Sequence, residues 1–330
     1  MVPGYSFVIP VCNERETLSE LQRRLLTVLE QLDEPSEVLF VDDGSTDESF
    51  EILLSFHKRD PRFKVIRLSR NFGHQAAITT GLDHALGQAV VIMDADLQDP
   101  PEVALDLARR WREGYEVVYA VREARAGETR LKLWTAKWFY RVLGRMTEVD
   151  VPGDAGDFRL VDRRVLEAIK AMREHRRYLR GMFAWVGYNQ TAVHYTRSGR
   201  YAGSSKFSLT KMVRFALDGI VSFSTAPLRL TLNLGFAVSV LAFLAGIATI
   251  VLKIAGVHAV PGWASIVVVL ALVSGVQLTV LGVIGEYIAQ IHDEVKRRPL
   301  YLVSEALGVE TQPPAVRTGS EPAEATRAKL

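Results

Sequence analysis

Ala89-Val90-Val91-Ile92-Met93-Asp94-Ala95-Asp96-Leu97-Gln98-Asp99-Pro100-Pro101 is an apolar run of strand length that ends on acids and meets a proline pair able to open a helix. The same grammar recurs on either side. Upstream, residues 6–11 form a strand followed by a helix over about 17–32. Residues 38–41 end at Asp42 and lead into a helix over 46 to about 58. Residues 64–68 precede a helix over about 74–85. Downstream, a helix runs from Pro101 to about Arg112, and residues 117–121 make a fifth strand. Strands alternating with helices in this way predict an α/β domain, its mostly parallel sheet covered on both faces. Ligands of such sheets bind at the carboxyl ends of the strands.

The polar residues that need explaining collect at those ends. Pro10, Asn13 and Glu14 follow the first strand, Asp42 and Asp43 the second, and Asp94, Asp96, Gln98 and Asp99 the fourth. Two carboxylates two residues apart, Asp94 and Asp96, suit a hard divalent cation, Mg2+ or Mn2+, that shares its shell with phosphate oxygens. Such an ion would neutralise a leaving diphosphate. The other reading of the pair is two solvated turn residues. Gly44, Ser45 and Thr46 have a local explanation as turn and cap residues. Two adjacent acids ending an apolar strand have none, and Asp42 or Asp43 suits hydrogen bonds to a base or ribose. In Arg70-Asn71-Phe72-Gly73-His74, Asn71 either shapes the turn or touches ligand, and His74 either caps the helix or does so.

The chain has 330 residues, 48 % hydrophobic and 24 % charged, with a net charge of +2, which is too small to make nucleic acid the main partner. One cysteine, Cys12, excludes an intrachain disulfide and a cysteine-based zinc site. The hydrophobic residues are unevenly spread. Residues 230–252 and 263–284 carry no charge, and each run of about 22 residues makes roughly 33 Å of helix, enough to cross a hydrocarbon core. A short link with Pro261 and Gly262 makes them a hairpin. Arg214 and Arg229 precede the pair and Lys296, Arg297 and Arg298 follow it, while the link holds only Lys253. The positive-inside bias puts both ends in the cytoplasm. The region around residues 5–11 reads as a core strand rather than a signal peptide, so the domain before the hairpin is expected to stay on the side where it was made. A buried helical hairpin of a soluble domain is the competing reading. Residues 131–146 and 207–223 mix aromatic or apolar residues with cations, as interfacial helices do. Beyond about residue 305, Pro, Thr, Ser, Glu and Ala predict disorder.

Three further motifs sharpen the picture: Arg70 to His74, Gly156-Asp157-Phe158-Arg159-Leu160, and Arg200-Tyr201-Ala202-Gly203-Ser204-Ser205-Lys206. With Val8-Ile9-Pro10-Val11-Cys12-Asn13-Glu14, Val41-Asp42-Asp43-Gly44-Ser45-Thr46-Asp47 and the stretch from Asp94 to Pro101, the set resembles the family 2 glycosyltransferases. Within them it is similar to the polyprenyl-phosphate branch, which includes dolichol-phosphate mannose synthases and bacterial bactoprenol glucosyltransferases. The two-span hairpin favours the bactoprenol branch.

The resemblance implies a GT-A (Rossmann-like) catalytic domain over residues 1–206, an interfacial helix region over 207–229, the two transmembrane helices within 230–289, and a cytoplasmic tail over 290–330. It implies nucleotide-sugar contacts from Pro10, Glu14, Asp42, Asp43, Asn71, Asp94 and Gln98, with a metal at Asp94 and Asp96. Asp157 matches the catalytic carboxylate. Arg122, Arg125, Arg159, Arg200 and Lys206 are the cations for the acceptor and phosphates. The expected partners are a nucleotide sugar, UDP-glucose first and GDP-mannose second, polyprenyl (undecaprenyl) phosphate, and the inner (plasma) membrane as a multi-pass protein. Small residues in the hairpin, among them Gly235 and Gly275, admit a homo-oligomer, up to a tetramer, and a lipid-sugar flippase is a further partner. A processive polysaccharide synthase would need a larger spanning bundle and a Q-x-x-R-W motif. A non-catalytic scaffold would not need every acid in place.

Overall fold

The computed structural model describes residues 3–122, 155–175, 177–196, 226–255 and 262–309. Its core is an eight-stranded sheet. The strands are β1 (Tyr5–Val11), β2 (Ser36–Asp42), β3 (Phe63–Leu68), β4 (Ala89–Ile92), β5 (Val117–Arg122), β6 (Ala155–Asp162), β7 (Gln190–Tyr195) and β8 (Val303–Leu307). The helices between them are α1 (Arg15–Gln31), α2 (Ser49–Arg59), α3 (His74–His84), α4 (Val103–Arg112), α5 (Arg163–Ala171) and α6 (Leu179–Trp185). Two long ones follow, α7 (Ala226–Ile254) and α8 (Trp263–Val295).

The strand order is β7-β5-β6-β4-β1-β2-β3-β8. β1, β2, β3 and β4 are parallel, as the alternating pattern predicts. The fifth expected strand is present but does not lie beside β4. β6 stands between them, antiparallel to both, with Ile92 opposite Arg159.

Side chains alternate across the sheet because a strand repeats every two residues. Phe7 and Ile9 of β1 join Leu18, Leu21 and Leu25 of α1 and Leu107 of α4 on one face. Val8 joins Ile78 and Leu82 of α3 on the other, with Val165 and Ile169 of α5 and Met182 of α6. α3 lies so close to β1 that a Cβ on Gly81 would stand 2.3 Å from Val8 Cγ1, which no side chain tolerates.

The sheet changes direction at β1. The chain moves outward from β1 through β2 to β3, then returns to place β4 on the opposite side. Pairing of β1 with β4 stops at Val8 and Ile92, whereas pairing with β2 continues to Val11 and Asp42. Pro10, which has no N–H to give a ladder, lies in that unpaired stretch facing β4. A crevice at this switch point is where such sheets take ligand.

α7 and α8 contain apolar spans, residues 228–248 and 268–295, with mean hydropathy 2.1 and 2.2 and no burial inside the protein. Leu232, Phe236, Phe243, Val268 and Leu272 are all exposed. A helical hairpin buried in a soluble domain is therefore overturned. α8 stays helical beyond Ile284 to Val295.

The expected disorder from about residue 305 needs correction at its start. Val303–Leu307 pairs antiparallel with β3 as an edge strand. Ser69 N–H donates to Leu302 O at 2.9 Å, and Tyr301 Oη donates to Asp83 Oδ2 at 2.9 Å. The rest of the tail lies outside the described residues, as do the segments 131–146 and 207–223.

Candidate active site

The crevice is built by tying loops together. Asn13, at φ 56°, accepts the Thr46 and Asp47 N–H groups on its Oδ1 at 2.8 and 3.3 Å, while its own N–H donates to Ser45 Oγ at 3.0 Å. Glu14 N–H donates to Ser49 Oγ at 2.9 Å. The turn after β1 and the turn after β2 thus hold each other. Gly44, at φ 65°, passes so close to the turn after β3 that a Cβ there would meet Arg70 C and Asn71 N at 2.7 Å. Asn71 Nδ2 in turn donates to Cys12 Sγ at 3.3 Å.

Asp42 and Asp43 are buried, 0 % and 3 % exposed, and each has a task within the protein. Asp42 Oδ1 accepts Ser45 N–H at 3.1 Å, and its Oδ2 lies 3.3 Å from Arg67 Nε. That approach lacks hydrogen-bonding geometry, so the buried Oδ2 has no hydrogen-bond partner. Asp43 accepts the N–H groups of Phe72 and Gly73 at 2.7 and 3.0 Å, and so fixes the start of α3 from the end of β2. Burial pushes both carboxyls above the usual range against the hydrogen bonds they accept.

The carboxylates after β4 divide into two kinds. Asp96 accepts Gln98 N–H at 3.0 Å and Gln98 Nε2 at 2.7 Å, so the mostly buried Gln98 side chain is turned back onto Asp96. The sharp turn at Leu97, φ 57°, makes this return possible. Asp94 is different. Its Oδ1 is buried with no hydrogen-bond partner. Burial and the neighbouring Asp157, Asp96 and Asp99, opposed by His74, push its carboxyl up to about 6.

Asp157 comes from β6 and faces Asp94 across His74. His74 Nε2 lies 3.4 Å from Asp94 Oδ1 and 3.4 Å from Asp157 Oδ2. Arg180 of α6 grips Asp157 with two parallel bonds, Nε to Oδ1 at 2.7 Å and Nη2 to Oδ2 at 3.0 Å. Burial alone would raise the Asp157 carboxyl, but the bonds from His74 and Arg180 outweigh it and hold the group far below the usual carboxylate range. His74 is displaced upward in turn: burial lowers it, and the two carboxylates more than restore it.

The expected cations fare unequally. Arg122 is tied to the stretch after β4 and to the end of β7. Its Nη2 donates to Asp99 Oδ2 at 3.1 Å and its Nε to Tyr195 Oη at 3.2 Å, while Tyr195 Oη donates to Asp99 Oδ1 at 2.5 Å. Its guanidinium passes over Gly156, where a Cβ would meet Nη2 at 3.1 Å. Arg159, expected to meet phosphate, is 5 % exposed. Its Nη2 donates to Gly156 O at 2.8 Å and its guanidinium lies 4.7 Å from the centre of the Phe183 ring. It therefore braces the loop that carries Asp157. Burial lowers it to about 10. Arg125, Arg200 and Lys206 lie outside the described residues.

Sequence reading missed Arg180 and Tyr195. Arg180 belongs to the basic run Arg176-Arg177-Tyr178-Leu179-Arg180, in which no residue announces an inward direction. Among the described residues no group of three or more His, Cys, Asp or Glu side chains is arranged to hold a metal. Asp94 and Asp96 remain as a pair.

Comparison with known proteins gives two family matches that together span both parts of the chain. The model of glycosyl transferase family 2 matches residues 6–170, and that of the GtrB C-terminal hairpin matches 226–291. A Bacillus subtilis glycosyltransferase, YkcC, is 49 % identical over 93 % of this chain and 95 % of its own. The bactoprenol glucosyl transferase derived from prophage SfII of Shigella flexneri is 38 % identical over 91 % of this chain and 97 % of its own. Among solved structures, mannosyl-3-phosphoglycerate synthase from Rubrobacter xylanophilus is similar over 66 % of this chain and 71 % of that one, with TM-score 0.47 and 19 % identity.

Proposed function

The chain belongs to glycosyl transferase family 2, and from that premise we propose that it moves one sugar from a nucleoside diphosphate onto polyprenyl phosphate at the cytoplasmic face of the membrane. The observation that carries the reading is the Asp94–His74–Asp157–Arg180 constellation at the crevice of the sheet, in a chain that also bears an exposed apolar hairpin. The relatives named bactoprenol glucosyl transferases match over both regions. They favour a bactoprenol-type lipid acceptor and a glucose donor, with UDP-glucose first and GDP-mannose second. The cations flanking the spans favour a multi-pass protein of the plasma membrane with its catalytic domain inside.

The nucleotide lies in this reading along Pro10, Glu14 and Asn71, on loops shaped by Asp42 and Asp43. Asp94 and Asp96 would hold a divalent cation, Mg2+ or Mn2+. The partnerless buried Oδ1 of Asp94 suits a ligand oxygen, and two protein carboxylates suffice where substrate phosphates complete the shell. Such an ion supplies charge neutralisation for the leaving diphosphate.

The reaction is one displacement. An acceptor phosphate oxygen forms the bond to the anomeric carbon, and the bond from that carbon to the diphosphate oxygen breaks. Its electron pair leaves with the nucleoside diphosphate, and the anomeric configuration inverts. A phosphate monoester with its second pKa near about 6 is largely dianionic at neutral pH and has little proton to lose. Asp157, ionised and gripped by Arg180, therefore orients the acceptor or a sugar hydroxyl. Arg122, held beside Gly156, is a further cation for the acceptor phosphate.

The test uses membranes containing the protein, polyprenyl phosphate, and a panel of radiolabelled nucleotide sugars that includes UDP-glucose and GDP-mannose. One donor is expected to label the extracted lipid. No labelled lipid from any donor would overturn the reading.

A further inference from the structure

The structure assigns to His74 a positioning role, as the bracket that sets the separation between the donor-side carboxylate Asp94 and the acceptor-side carboxylate Asp157. This rests on the transfer reading above. Asp94 follows β4 and Asp157 lies in its antiparallel neighbour β6, but no direct bond joins them. What lies between them is one ring nitrogen, His74 Nε2, at 3.4 Å from an oxygen of each. Toward Asp94 this approach is a charge contact and not a hydrogen bond, since Asp94 Oδ1 accepts none. Removing the ring leaves two facing negative charges to spread apart.

The ring is itself held. His74 is the first residue of α3, after Gly73 at φ 102°. The N–H groups of Phe72 and Gly73 end on Asp43, whose carboxylate is anchored at the end of β2. Asp157 cannot follow the ring freely, because Arg180 grips it from α6. Asp94 Oδ1 has no hydrogen-bond partner of its own and lies 3.4 Å from the ring nitrogen. Three elements thus converge on one distance, which on the transfer reading separates donor from acceptor. Misplacement on the order of 1 Å between such groups costs about 10²-fold in rate.

The experiment uses the full-length protein in detergent with undecaprenyl phosphate and the donor that labels lipid. His74→Ala is expected to lower kcat by about 10²-fold while KM for the donor stays within about threefold. His74→Gln places an amide N–H near the reach of Nε2 and is expected to recover about tenfold of that loss. A kcat for His74→Ala within about threefold of the wild type would overturn the assignment, as would His74→Gln no better than His74→Ala. A second measurement does not depend on turnover. In protein with 15N-labelled histidine rings, the His74 signals, identified by their loss in His74→Gln, are expected to move in both Asp94→Asn and Asp157→Asn. Signals unmoved in either variant would refute the bracket. If the wild type labels no lipid, the transfer reading fails, and the ring signals still decide the question of His74.

Discussion

Asp157 receives donors from two directions, a planar guanidinium from α6 and an imidazole from α3. A carboxylate so placed stays ionised across the working pH range, since its pKa lies far below the ordinary value. Asp157→Asn keeps the shape, cannot accept the Arg180 fork on both atoms, and is expected to lose about 10²–10³-fold in kcat. Because the group is already charged, the wild-type rate profile between about pH 6 and 9 should show no limb that belongs to it. A limb present in the wild type and missing in the variant would mean that Asp157 moves a proton. The acid itself was singled out by its motif's resemblance to the family, between Gly156 and Phe158. Its partner was not. An arginine in a basic run looks the same in sequence whether it faces water or a buried acid, and only the packing of α6 on the sheet turns Arg180 inward.

The turns after β2 and β3 work as one part. Asp43 reaches from the first into the second, and Gly44 makes the close approach possible. Asp43→Ala would strand two N–H groups at the start of α3, with an expected loss of about 1–3 kcal/mol in chemical denaturation. It should also lower kcat, because the ring of His74 is then less well placed. Normal stability with normal kcat would show that the turn holds without it. β1 to β4 were readable because each is a short apolar run punctuated by an acid or a turn. β6 and β7 escaped notice for the opposite reason. β6 (AGDFRLVD) mixes in charge at Asp157, Arg159 and Asp162, and β7 is only half-buried along most of its length. In β6 the core contacts come from Phe158, Leu160 and Val161, and Asp157 and Arg159 between them have partners inside the protein.

Taken whole, the chain leaves its α/β domain, runs through α7 and α8, and comes back. Glu294 at the end of α8 accepts the His175 N–H at 2.8 Å, Tyr301 reaches Asp83 on α3, and β8 closes the outer edge of β3. Composition concealed this return, since the VSEAL of β8 reads like the start of a polar tail; the pairing is made by backbone groups that any sequence carries. Deleting residues 300–330 removes the Tyr301–Asp83 contact and bares the edge of β3. The expected result is a catalytic domain whose Tm falls by roughly 2–8 °C while the protein stays in the membrane fraction. An unchanged Tm would show that the edge strand carries no stability. The return also makes α8 beyond Ile284 a stalk of about three turns, clamped at its far end, so its residue count sets a rotational phase. One residue inserted there would swing the crevice about 100° around the helix axis, whereas seven would raise it about 10 Å and restore nearly the same heading. Changes of length in this stretch should therefore be tolerated in steps of seven, read as lipid labelling that vanishes with one added residue and survives better with seven.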